Sequence, residues 1–248
     1  MFGFGSGNYQ DSTLEKLADK GNGNYAYIDD ASEAQKVLVE QSNGTLYTVA
    51  KDVKLQLEFN PAQVEAFRLI GYENRMLAHQ DFNDDSKDAG EIGADHDVTA
   101  LYEIIPKGGA VPGGSVDALR YQSPATSAPG TSTTAQAGEL LHIKLRYQPP
   151  EGGASQLSEL SVQNTEQALA GDFRFAAAVA QFGMLLRESP YRGRSSYDGV
   201  LELARSAMGT GKEREAREGF ITLVKKARSL AKSQRTQTLV DPLDDTLP

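Results

Sequence analysis

The 248-residue chain contains no cysteine. That excludes disulfides, zinc–thiolate sites and cysteine nucleophiles, and leaves the compartment open. No window approaches the roughly 20 apolar residues of a membrane-spanning helix. A basic stretch followed by an apolar run is also missing at the start, so no secretion signal is expected downstream of Met1. Lys and Arg number 25 against 34 Asp and Glu. The formal charge of −9 argues against a nucleic-acid partner, which needs a one-sided cationic surface. His79, His96 and His142 are the only histidines, and their spacing fits no zinc pattern. Neither a Gly-x-Ser-x-Gly elbow nor a phosphate loop ending in Gly-Lys-Ser/Thr occurs. The residues therefore predict no enzyme and no cofactor held by this chain.

What is present falls into three patterns. Phe2 to Gly5, "STLEKLADKG", "NYAYI" and "DDASEAQKVLVEQSNG" read as strand, helix, strand, helix. That is the grammar of a parallel sheet, yet two such units cannot cover both faces of one. Leu14, Leu17 and Ala18 share one predicted helical face, and Ala34, Val37 and Leu38 another.

The second pattern is alternation. In "DVKLQLEF" Val53, Leu55, Leu57 and Phe59 oppose Lys54, Gln56 and Glu58. "VEAFRLIGYEN", "HDVTALYEIIPKG", "LLHIKLRYQPP" and, more weakly, Leu157 to Val162 add further strands, which predicts an antiparallel β-sandwich. A Pro-, Gly-, Ser- and Thr-rich stretch at about 108–138 reads as a disordered insertion within it.

The third pattern is helical. "DFRFAAAVAQFGMLLRES" has a predicted Asp172 cap, and "SSYDGVLELARSAMG" a Ser195-x-x-Asp198 capping box. "KEREAREGFITLVKKARSLAKSQ" is amphipathic, with Phe220, Leu223, Val224, Ala227 and Leu230 expected inward. The predicted layout is a β/α unit over 1–44, the sandwich over 45–163, a helical subdomain over 164–235 and a tail over 236–248.

"GFGSGNYQDSTLEKLADKGNGNYAYIDDASEAQKVL" resembles the last two strand–helix units of a bacterial von Willebrand factor type A (VWA) domain. "FRLIGYENRML", "DFNDDSKDAGEIGADHDVTALYE" and "FRFAAAVAQFGMLLRESPYRG" resemble the C-terminal region of YfbK-type VWA proteins. The resemblance covers nearly the whole chain, with one departure: Asp95 stands where the related "GAGH" version has glycine. It implies a divalent metal, Mg²⁺, on an Asp-x-Ser-x-Ser motif, but that motif is absent here, so no VWA metal ligand is assigned. The resemblance further implies a fragment lacking the metal-bearing half, a bacterial periplasmic or envelope setting, and protein partners of unknown identity. Self-association through exposed Phe2, Phe4, Tyr25, Tyr27 and Ile28 is a further expectation.

Two stretches are candidate sites. In "DFNDDSKDAGEIG", Asp81, Asn83 and Asp85 occupy the first, third and fifth places of a calcium loop. Ser86 replaces the expected Gly, Ile92 the expected Glu, and Glu91 is one residue out of register; an acidic solvated loop is the competing reading. In "PYRGRSSYDG", Tyr191, Arg192, Arg194 and Tyr197 have hot-spot composition for a protein contact. The competing reading packs the tyrosines on neighbouring helices and leaves the arginines solvated. The sequence thus predicts a non-enzymatic protein-binding or scaffold region, with a calcium- or ligand-binding sandwich as the alternative.

Overall fold

A computed structural model describes residues 2–4, 10–21, 23, 25–72, 76–111 and 138–240. The expected insertion lies largely outside these residues. The fold mixes α and β, with antiparallel sheets. It divides into two compact units, Met1–Arg68 with Tyr72–Asn164, and Leu69–Gly71 with Thr165–Pro248.

The first unit opens with β1 (Phe2–Phe4), α1 (Asp11–Lys20) and β2 (Ala26–Ile28), and the two strands pair in parallel with Phe2 opposite Ala26. Asp30 caps α2 (Ala31–Gln35) by accepting from the Glu33 N–H at 2.8 Å. The helix then widens into a π turn over Lys36–Glu40 before α3 (Ser42–Leu46). The extra residue per turn sends Val37 inward and leaves Leu38 at the solvent, so the expected common face is split. Leu17 is likewise exposed, and only Ala18 of its predicted face is buried. Phe2, Phe4 and Tyr27 stand exposed as expected, but Ile28 is buried and the Tyr25 hydroxyl donates to Asp11.

Strand β3 (Thr48–Phe59) is the spine of a four-stranded sheet in the order β5-β3-β7-β8, with β5 at Gly90–Gly93, β7 at Glu139–Gln148 and β8 at Gln156–Gln163. Between Lys51 and Lys54 β3 carries one residue more than β7, a bulge at Asp52, whose φ is +50°. The Asp52 carboxylate accepts from the Ala89 N–H at 3.2 Å, which ties the bulge to the chain entering β5. Strands β4 (Val64–Ile70) and β6 (Leu101–Pro106) form a separate pair. The Arg68–Glu103 and Lys107–Glu65 ion pairs run across it. Phe59 joins the two sheets by stacking on Phe67 and tilting against Tyr102, whose phenol burial pushes to a higher pKa.

Glycine is required where α3 meets β5. A methyl group on Gly93 would overlap the Gly44 carbonyl, and the Ala94 N–H donates to Tyr47 O at 2.7 Å beside it. The following turn is closed by the His96 N–H donating to Gly93 O at 3.2 Å, and places Asp95 at φ +58°. That left-handed conformation favours glycine and is tolerated by Asp, which gives the "GAGH" departure a physical meaning.

The second unit contains α4 (Gly171–Leu186), α5 (Tyr197–Arg205) and α6 (Gly211–Val240). Ala178 and Phe182 of α4, Val200, Leu201 and Ala204 of α5, and Ile221 and Val224 of α6 form its core. Phe182 lies edge-on to Phe220 at 5.5 Å. Four sequence expectations are corrected. The α4 cap is Ala170, and Asp172 lies within the first turn. The α5 cap is Ser196, which accepts from the Gly199 N–H at 3.1 Å; the cap is one residue later than predicted, and the box from Ser195 does not form because Gly199 has no side chain to return the bond. On α6, Leu223 and Leu230 face solvent. This helix also continues to Val240, beyond the expected start of the tail at 236.

Ser196→Ala is expected to lower stability by about 1 kcal/mol and Ser195→Ala by a few tenths at most, measured by chemical denaturation.

Candidate functional site

The polar face of the four-stranded sheet brings together residues from distant parts of the chain. Cross-strand register sets Glu58 beside His142 and Gln56 beside Lys144, then His142 beside Ser161 and Lys144 beside Glu159. The His79 Nδ1 lies 2.8 Å from the Gln56 amide, so a second imidazole joins the face from a 3-10 turn at His79–Asn83. The His142 Nδ1 is 3.0 Å from the Ser161 hydroxyl. Its Nε2 and the Lys144 ammonium each lie 3.5 Å from the same Glu159 oxygen. A cleft of about 490 Å³ opens here, lined by Gln56, Leu57, Glu58, Phe59, Phe67, His79, His142 and Lys144.

The segment beside the cleft is pinned by Lys54. Its side chain is buried, only 4% exposed, and its ammonium donates to the Asp84 carbonyl. Leu55 on the opposite face is 46% exposed. β3 is a strand, as its alternation predicts, but the loop after β4 covers the charged face and leaves part of the apolar one open. A buried ammonium is retained only where it has partners.

The acidic stretch does not converge on one centre. Asp81 and Asn83 lie in the 3-10 turn, whereas Glu91 belongs to β5 and accepts from the Thr48 hydroxyl at 3.3 Å. Asp85 accepts from the Ser155 hydroxyl at 2.6 Å and pairs with Arg146 at 2.8 Å. Both partners hold its carboxyl below the ordinary carboxylate pKa. Among the described residues no group of three or more His, Asp or Glu side chains is placed to hold a metal ion. Calcium binding by Asp81, Asn83, Asp85 and Glu91 would require Asp85 to leave Arg146 and Ser155. Millimolar calcium is expected to leave the melting temperature unchanged; a rise would establish that rearrangement.

The second candidate stretch separates into a packed residue and a surface group. Tyr197 packs edge-on to Phe182 at 6.3 Å, while Tyr191, Arg192 and Arg194 are exposed. The turn that presents them is held by the Arg192 N–H on Ser189 O at 3.1 Å and the Ser195 N–H on Arg192 O at 2.9 Å.

One site of interactions escaped the sequence reading. Arg217 is buried, lies 4.7 Å from the centre of the Phe175 ring, and donates to Asp172 at 2.6 Å, to Glu213 and to the Ala207 carbonyl. The spacing to Ile221 and Val224, four and seven residues on, places Arg217 on the apolar stripe of α6.

Residues 44–230 match the family described as "Uncharacterized protein YfbK, C-terminal". The protein named "Uncharacterized protein YfbK" of Escherichia coli (strain K12) is 43% identical over 226 residues, covering 91% of this chain. The chain spans 38% of the length of that curated relative. No solved structure matches it.

Proposed function

The chain belongs to the YfbK C-terminal family, and from that premise we propose that it is a non-enzymatic, protein-binding and scaffold region of a larger VWA-containing bacterial envelope or secreted protein. The parallel β1–β2 pair carries this reading. Parallel strands belong to sheets covered on both faces, and a two-stranded sheet is marginal alone. Here Phe4 is 64% exposed, and Phe2 and Tyr27 are exposed beside it. The family match begins at residue 44, so β1, α1, β2 and α2 lie ahead of the matched domain.

On this reading they are closing units of a VWA-type α/β layer, and the remaining strands of such a layer are the partner of Phe2, Phe4 and Tyr27. Any divalent cation belongs to that partner module. The β4–β6 pair, joined to the larger sheet through Phe59, is the second layer of an antiparallel sandwich that supports it.

The test mixes this chain with a separately produced segment of the E. coli relative from outside the match. Size-exclusion chromatography with light scattering is expected to show a 1:1 complex that Phe4→Asp abolishes. Two independent peaks from folded components would overturn the reading.

A further inference from the structure

We propose that a second copy of this chain pairs with β8, edge to edge, and extends the four-stranded sheet across a two-fold axis. Strand β8 closes one side of the order β5-β3-β7-β8, and among the described residues no strand lies beyond it. Seven of its eight residues are exposed. An outer strand offers unpaired backbone N–H and C=O groups, which natural sheets protect by shortness, bulges, Pro or Lys. The other edge, β5, is protected in this way: it holds four residues, two of them glycine, and its pairing with β3 slips twice. Strand β8 has none of these devices. Its sequence QLSELSVQ contains no Pro, Lys or Arg, and it aligns with β7 without a break from Val162 to Gln156. It is also fixed at both ends. The Ser155 hydroxyl just before it donates to Asp85 at 2.6 Å, and the Asn164 amide just after it donates to Gln63 at 2.9 Å. A strand already held extended loses little further entropy on pairing.

The side chains favour a second copy as the occupant. A two-fold axis normal to the sheet runs the two edge strands antiparallel and sets one residue opposite itself. The middle of β8 offers two such centres, Glu159 and Leu160. Centring on Glu159 would face carboxylate with carboxylate, which is unfavourable. Centring on Leu160 sets Leu against Leu, Glu159 against Ser161 and Leu157 against Gln163, with no like charges opposed. Glu159 is the sole ionisable residue of β8, and it already lies 3.5 Å from Lys144 and His142 of its own sheet. Leu160 pairs with Ile143, and Ile143 with Leu57. The register therefore carries one apolar row from sheet to sheet and covers a Leu160 side chain that is otherwise 61% exposed. Strand β8 and the β1–β2 pair belong to different sheets, so this inference goes beyond the reading above and does not rest on it.

One strand pair buries less than the roughly 1,200 Å² of a stable interface, so the dimer should be weak. Sedimentation equilibrium of the full chain over about 10–500 µM is expected to show reversible monomer and dimer. Leu160→Lys and Leu160→Glu should each weaken the dimer about fivefold or more, since each opposes like charges at the axis, with both variants melting as the parent does. Mixing the two variants in equal amounts should restore a dimer, because position 160 meets itself across the axis. Association through Phe2 and Phe4 would be indifferent to position 160, and a strand taken from another protein would leave this chain monomeric. A monomer throughout the range, unchanged association in both variants, or no dimer in their mixture overturns the inference.

Discussion

Replacing Arg217 by Ala is expected to destabilise the helical unit by about 2 kcal/mol, because it removes a buried side chain packed on Phe175 and leaves the Ala207 carbonyl without its donor. The side chain joins three places that are separate in sequence: Asp172 in the first turn of α4, the Ala207 carbonyl after α5, and Glu213 on α6. The hydrogen bond from the guanidinium to the Ala207 carbonyl contributes about 1.5–3 kcal/mol, whereas the carboxylates of Asp172 and Glu213 are open to solvent and their pairs add little. The contact with Phe175 adds about 0.5–2 kcal/mol. Arg217→Lys keeps the charge but loses the planar fork, and should recover only part of the loss.

The same pair gives a pH signature. Arg217 holds the Asp172 carboxyl below its ordinary pKa. Its contribution is therefore complete above the ordinary carboxylate value of about 4 and is lost as pH falls through the lowered folded value. Arg217→Ala should flatten that acid limb. Urea denaturation followed by circular dichroism at several pH values measures both effects. A loss below about 1 kcal/mol with an unchanged acid limb would show that the cluster contributes little.

Leu201→Ala should cost about 3–4 kcal/mol, because Leu201 is 1% exposed and belongs to the same core cluster as Ala178, Phe182 and Val224. Leu223→Ala should stay within about 0.5 kcal/mol, since Leu223 is 54% exposed. Apolar spacing along α6 ranks Leu223 with the core, so the comparison separates periodicity from packing. Equal losses in the two variants would mean that solvent-facing leucines of α6 are covered in solution.

Local regularity decided what was legible in the sequence. Strands β3, β6 and β7 announce themselves through alternation, and β1, α1 and β2 through turn residues between short apolar runs. Strand β5 was hidden because Gly90 and Gly93 bound only two side chains, Glu91 and Ile92, inside an acidic stretch. Its pairing is dictated by the Asp52 bulge and by the close approach of Gly44, neither of which has a local signature. Lys54 and Arg217 look like solvent-facing charges at the level of pattern. Their burial depends on partners at Asp84 and Asp172 that chain topology alone brings near. The meeting of His79 with Gln56, one strand from His142, is likewise a product of register rather than of spacing.

Strand β3 changes neighbours along its length: β5 pairs with Thr48–Val53 and β7 with Lys51–Phe59, and Asp52 marks the handover. Two zippers thus share one tape, with a seam between them. The shorter zipper holds three registered positions, interrupted twice, and can release while the longer one stays shut. Backbone amides of Gly90–Gly93 should consequently exchange with heavy water well before those of Leu141–Leu145. That ordering would make the edge near Gly93 the place where this sheet first yields.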